Sequence, residues 1–303
     1  IEISGRRNIV VANIVVRNSR RNGISLNSCS NVTIRGVSIS AGRNNGILAF
    51  NFDSLIIESS EIFENSLDLA ASYDGVRVDS NREISGVTIR DCVIHDNLGG
   101  PDWYSANGVF IGHTGNEFPL IRRVRLIGNT IYRNGNPNQN QAGRGVTGTF
   151  HGDVEVAANF IHQNASAGLY LGDEGASLDI VISRNLFYNN ALRQFGGFTD
   201  LRAAANGNTM IVDDPEITAM GAEIGGLGAW EITQNTFWYT TNTNDTFRSF
   251  IKINNVEQEQ QLKSDFNLFY SSGPRRWRRA DDVILDFNQW QAAGFDANST
   301  NPR

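Results

Sequence analysis

The chain has 303 residues, a net charge of −6 at pH 7 and only 19% charged side chains. This balance speaks against a nucleic-acid partner, which needs a basic surface, and no apolar run reaches the length of a membrane-crossing helix. Abundant Gly and Asn instead suit short strands joined by tight turns. At the N-terminus Ile1 starts directly in strand-like sequence, with no visible leader or cap. A processed or trimmed end is therefore expected, its first turn covered by a missing segment or a partner, and uncapped ends leave oligomerisation open.

From residue 23 a pattern Gly-apolar-x-apolar returns as a ladder. It reads Gly23-Ile24-Ser25-Leu26, Gly46-Ile47-Leu48-Ala49, Gly75-Val76-Arg77-Val78, Gly108-Val109-Phe110-Ile111, Gly145-Val146-Thr147-Gly148 and Gly168-Leu169-Tyr170-Leu171. A second repeat, Asn-x-apolar-x-x-Asn, keeps step with it. Its first column is Asn13, Gly36, Ser60, Cys92, Asn129, Asn159, Asn185, Asn235 and Asn267, and successive subtraction gives steps of 23, 24, 32, 37, 30, 26, 50 and 32. Its second column is Asn18, Ala41, Asn65, Asn97, Asn134, Asn164 and Asn190. A floor near 23 with variable excess is the mark of a solenoid with loops inserted at its turns. Between the columns lie β-branched, alternating pieces such as Val32-Thr33-Ile34 and Val87-Thr88-Ile89, which put one set of side chains inside and the next outside. The 50-residue step predicts a large insertion from Gly196 to Ala229, readable as a lid with Gly hinges. Cys29 and Cys92 fall about three rungs apart, roughly 14 Å at the strand spacing, and are expected to be two buried, unbridged thiols. After Ser271 the chain changes character. The run Arg275-Arg276-Trp277-Arg278-Arg279 precedes a short helix predicted over residues 288–293, capped by Asp286 and stopped by Gly294. The expected organisation is a β-solenoid over residues 1–270 and a capping tail over 271–303.

Segments such as Asn129-Thr130-Ile131-Tyr132-Arg133-Asn134 and Asn185-Leu186-Phe187-Tyr188-Asn189-Asn190 resemble the right-handed parallel β-helix family, the pectate-lyase-like superfamily, over most of the chain. The ending from Trp290 through Gly294-Phe295-Asp296 to Asn298-Ser299 looks like the closing segment of other β-helix depolymerases, including disaggregatase-type enzymes. The resemblance implies an all-β fold, a single right-handed parallel β-helix of about nine rungs. It also implies an extracellular or cell-surface protein acting on polysaccharide. The family holds lyases, epimerases and hydrolases but also non-catalytic tailspikes, so a surface or filament protein is the competing class.

The outward positions of the Gly strands gather titratable and aromatic groups in the middle rungs: Arg77, Asp79, Tyr170, and just beyond the strands His113, His151, Asp173 and Glu174. Two long loops flank this face. One carries Trp103 and Tyr104, suited to flat sugar faces, and the other ends at Arg144. His95 and His162 occupy the place of Tyr132 and Tyr188 in other rungs and read as structural. Glycoside hydrolysis needs two carboxyls, and Asp153 with Asp173 or Glu174 comes from neighbouring rungs. Calcium could use the same cluster, and no cofactor is otherwise required. Elimination or epimerisation at a uronate needs a base, for which His113, His151 or Tyr170 qualifies, and a cation at the carboxylate, Arg77 or Arg144. The two lysines, Lys252 and Lys263, come late, which tilts the reading toward a hydrolase of acidic polysaccharide, with His151 as the leading acid or base.

Overall fold

The computed structural model describes residues 1–68, 73–99, 106–112, 121–136, 143–150, 152–172, 180–198, 202–217, 219–240 and 248–302. Three long sheets run the length of the molecule, with 12, 10 and 10 strands. In each, a strand pairs in parallel with its copy one turn away. Ile24–Asn27 pairs with Ile47–Phe50, and that strand with Val76–Asp79. Among the described residues the chain therefore makes ten successive triplets of strands, a parallel β-helix of about the predicted length. The inward column of the first sheet, Ile24, Ile47, Val76, Val109, Val146, Leu169, Phe195, Ala222 and Ile251, is fully buried, as the alternation predicts. Burying such side chains contributes roughly 1.5–3 kcal/mol each.

The Asn columns form hydrogen-bonded ladders. From Asn129 through Asn159, Asn185, Asn208 and Asn235 to Asn267, the backbone N–H of each residue donates to the next amide oxygen at 2.9–3.0 Å. Each side-chain NH2 donates to the same oxygen. A second ladder runs from Asn65 through Asn97, Asn134 and Asn164 to Asn190 and ends on the Gln194 amide. These buried amides satisfy one another where no water reaches. The residue preceding each ladder position has positive φ, as at Gly36 (58°), Asp91 (54°) and Gly128 (67°). Asn13 and Gly36, and likewise Asn18 and Ala41, belong to these left-handed columns, one position before the ladders that the repeat assigned them to.

Asn208 also corrects the insertion. Its rung divides the 50-residue step into 23 and 27, and the stretch expected to be a lid carries Arg193–Phe198, Ala203–Asn206, Thr209–Val212 and Met220–Gly225, all in regular parallel register. The rung escaped the pattern because Gln194 replaces its leading Gly and because Ala203-Ala204-Ala205 lacks β-branching. A Cβ at Gly196 would collide with the Glu223 carbonyl, so this strand needs glycine at an outward position where other rungs carry side chains.

At the C-terminal end a helix α1 (Val256–Gln261), not foreseen in the sequence, follows the last full first-sheet strand. A second helix, α2 (Phe287–Ala292), starts at Asp286 with a reciprocal capping box to Gln289. Its buried Trp290 stacks on Phe295 and Trp277 and donates its indole N–H to the buried Asp296 at 2.7 Å. Asp296 also accepts from the Asn267 side chain at 2.8 Å, closing the first ladder. Cys29 and Cys92 are buried and unbridged. Among the described residues no helix is long and apolar enough to cross a membrane.

Candidate functional site

Alternation in the first sheet turns one row of side chains outward, in the register Ser25, Leu48, Arg77, Phe110, Thr147, Tyr170, Gly196, Glu223, Lys252. Polar groups accumulate from Arg77 onward. The Arg77 guanidinium lies 4.3 Å over the Phe110 ring and reaches two carboxylates, Asp74 and Asp79, both at 3.1 Å. Asp74 is fully buried in a third side-chain ladder, one residue ahead of each Gly. It accepts from the Asn107 backbone N–H (2.9 Å) and side chain (2.8 Å), while its own N–H donates to Asn45. Burial pushes the Asp74 carboxyl up to about 6 against the opposing pull of Arg77.

Farther along the row the Tyr170 ring lies between two guanidiniums, Arg144 at 4.3 Å and Arg193 at 5.3 Å. Arg144 is 4% exposed and enters by the third ladder, its N–H donating to Asn107. Arg193 pairs with the buried Glu223, which Lys252 also contacts at 3.1 Å and Asn254 at 3.3 Å. Three cations thus surround one carboxylate and one phenol. Each described carboxylate of the face, Asp74, Asp79 and Glu223, is already tied to a cation.

Of the sequence candidates, Arg77, Asp79, Arg144 and Tyr170 stand on this face. Asp153 does not. It belongs to the second sheet, at a left-handed position (φ 53°), exposed and paired with Arg125 at 2.8 Å. The strand from Gly152 to Ala157 begins a new sheet instead of extending the Gly strand, which moves Asp153 off the face. Trp103, Tyr104, His113, His151, Asp173 and Glu174 lie outside the described residues, and with them Asp153's partners in the carboxylate pair and calcium cluster and the leading histidine. Among the described residues no cluster of three or more metal-ligating side chains occurs. His95 and His162 sit in an aromatic stack of the third sheet, with ring centroids 5.1 Å (Phe63–His95), 4.7 Å (His95–Tyr132) and 4.8 Å (Tyr132–His162) apart. Burial there lowers His162 below the usual imidazole range. The sequence reading missed Arg193, Glu223 and Lys252. For Arg193 and Lys252 the signal was an apolar alternation without its leading Gly, whereas Gly221-Ala222-Glu223-Ile224 carries the full pattern inside the stretch read as a lid.

Residues 1–136 match a family model described as "Right handed beta helix region". Comparison with curated proteins finds no match. Among solved structures, the chain is similar to PfbA, a surface adhesin of Streptococcus pneumoniae, with TM-score 0.52 and 11% identity, covering 84% of this chain and 61% of that one. It is also similar to the A-module of the mannuronan C-5 epimerase AlgE4 of Azotobacter vinelandii, with TM-score 0.51 and 14% identity, covering 95% of this chain and 81% of that one. The chain spans only about three-fifths of the adhesin chain's length. At these identities the likeness is one of fold: a right-handed parallel β-helix.

Proposed function

We propose that the chain is an extracellular or surface enzyme acting on a uronate-bearing polysaccharide by removing the proton beside the sugar carboxylate, with Tyr170 as base and Arg144 and Arg193 as the neutralising cations. The observation that carries this reading is the phenol held between two guanidiniums on an outward face. Cations that bind the substrate carboxylate make its neighbouring C5–H more acidic, because they stabilise the negative charge that develops on deprotonation. A tyrosine accepts that proton as its phenolate, and Arg144 and Arg193 beside the ring supply the positive charge such a base needs nearby. Returning a proton to the opposite face inverts C5. Expelling the sugar linked at C4 breaks the chain and leaves an unsaturated uronate.

Hydrolysis, favoured from the sequence, fits the described face less well. It needs a protonated carboxylic acid and a free carboxylate, whereas Asp79 and Glu223 are held by cations and Asp74 is locked in its ladder. Lys252, discounted for its late position, stands in the same outward row as Tyr170. The second reading is a non-catalytic polysaccharide-binding surface. It is supported by the adhesin among the structural neighbours and by the internal pairing of those same carboxylates.

Incubation with a panel of acidic and neutral glycans in D2O distinguishes these readings. Deuterium at C5, which reports epimerisation, or ultraviolet-absorbing unsaturated ends, which report elimination, is the expected result. New reducing ends without that absorbance mean hydrolysis and refute the proposal. Saturable binding with no chemical change on any glycan assigns the surface-protein reading instead.

A further inference from the structure

Charge is distributed unevenly along the solenoid. Residues 1–50 hold seven arginines, Arg6, Arg7, Arg17, Arg20, Arg21, Arg35 and Arg43, against a single acid, Glu2, a net of +6. The whole chain is −6, so residues 51–303 carry −6 − 6 = −12. All seven arginines are exposed. By contrast, among the later arginines Arg77, Arg82, Arg90, Arg125, Arg133, Arg193 and Arg279 each reach a carboxylate. Within the described contacts none of the first seven side chains has an ion pair.

Four of them meet at one corner, where the third sheet turns into the first. Arg17 ends a third-sheet strand, Arg20 and Arg21 follow in the turn, and Arg43 occupies the same turn one rung on. The Arg43 N–H donates to Ser19 at 3.0 Å and the Asn44 N–H to Arg21 at 3.3 Å, so the two turns are stacked directly. Beside them a cavity of about 400 Å³ is lined by Ile1, Glu2, Ser19, Arg20, Arg21, Asn22 and Ser25, so that two guanidiniums face a single carboxylate. Acids return to this corner only on the third rung, at Glu64 and Asp68.

We infer that this corner is a second binding surface, several rungs from Tyr170 along the solenoid, and that its ligand is an acidic polysaccharide held through carboxylate or sulfate groups. Unpaired guanidiniums with planar, forked donors suit those oxyanions. Stacked arginine-bearing turns repeat at the rung spacing of about 4.8 Å, comparable to one sugar of an extended glycan. The composition argues against the other polyanions. Residues 1–49 contain no Phe, Trp, Tyr or His, so bases find no stacking platform and a lipid surface finds no aromatic anchor. The acidic remainder of the chain further repels a long duplex. The inference does not depend on the uronate chemistry of the Tyr170 face, which lies several rungs away.

The test compares two triple variants of equal charge change. One is Arg20→Gln with Arg21→Gln and Arg43→Gln. The other is Arg184→Gln with Arg202→Gln and Lys263→Gln, all exposed and distant. Binding is measured to sodium alginate, to a single-stranded DNA oligonucleotide and to phosphatidylglycerol vesicles over a range of salt. The corner variant is expected to lose about tenfold in alginate affinity at low ionic strength, the difference shrinking as salt screens it, while the distant variant binds as the parent does. Equal losses in both variants, or none in the corner variant, overturn the inference. Tighter corner-dependent binding of DNA or vesicles than of alginate overturns the choice of ligand.

Discussion

Replacing Asp74 by Asn tests the electrostatics of the face directly. The carboxyl is fully buried and sits in a ladder whose neighbouring members, Asn45 and Asn107, are amides. Its folded pKa of about 6 lies above the ordinary 3.8, because burial outweighs Arg77. The native state therefore binds this proton more tightly than the unfolded chain. Stability from the protonated form is complete below 3.8 and is lost as pH rises through about 6. At 1.36 kcal/mol per pH unit the loss amounts to about 3 kcal/mol. An amide keeps the two bonds from Asn107 but turns an NH2 toward Arg77, giving up a charge-assisted bond of about 1.5–3 kcal/mol. Near neutral pH the two effects nearly cancel, so Asp74→Asn should change stability by no more than about 1 kcal/mol. The pH dependence is the diagnostic. Urea unfolding from about pH 4 to about pH 7.5 should show the parent falling relative to the variant by about 3 kcal/mol, whatever the other carboxylates do, since those are common to both. Parallel curves would show that Asp74 titrates normally and that the burial argument is wrong.

Tyr170→Phe should lower turnover on the true substrate by about 10² to 10⁴ if the phenol is the base, with an unchanged melting temperature; full activity would assign the base elsewhere. Asn159→Ala orphans the buried Asn129 N–H and removes three further ladder bonds, so a loss of about 4 kcal/mol is expected in denaturant unfolding. A loss below about 1 kcal/mol would mean that the ladder relaxes around the gap. Burial pushes the Cys92 thiol up to about 12, so native protein should react slowly with thiol reagents and denatured protein should release two thiols. Fast native labelling of Cys92 would place it at the surface.

What was legible in the sequence followed from strict periodicity. A column such as Asn129, Asn159, Asn185 is visible because one residue type alone can both accept and donate along a stack. Ile24, Ile47 and Val76 are visible because burial admits only apolar groups. The third ladder was not seen, since Asn22, Asn45, Asp74, Asn107 and Arg144 share a place before the Gly strand without sharing a chemistry. Arg193 and Lys252 were missed because Gln194 and Phe250 stand where other rungs carry the leading Gly, and Glu223 because Gly221-Ala222-Glu223-Ile224, which keeps the pattern, was read as part of a lid. Asp153 was set on the wrong face because nothing in Phe150-His151-Gly152-Asp153 marks where one sheet ends and the next begins. Arg77, Asp79, Arg144 and Tyr170 were found because the register of a solenoid converts sequence position directly into a row.

The amide ladder has a polarity. From Asn129 to Asn267 every side chain presents its oxygen toward the preceding rung and its NH2 toward the following one, so the dipoles add in one direction as peptide dipoles do along a helix. The column's electropositive end arrives at Asp296, a buried carboxylate also held by Trp290 and Ser264. An interior rung brings its own acceptor and its own donor, so duplicating or deleting one leaves the column whole. The terminus has no such freedom: wherever the coil stops, a buried group must accept the last NH2. Length is thus an adjustable quantity in this architecture, and the closing residue is a fixed one.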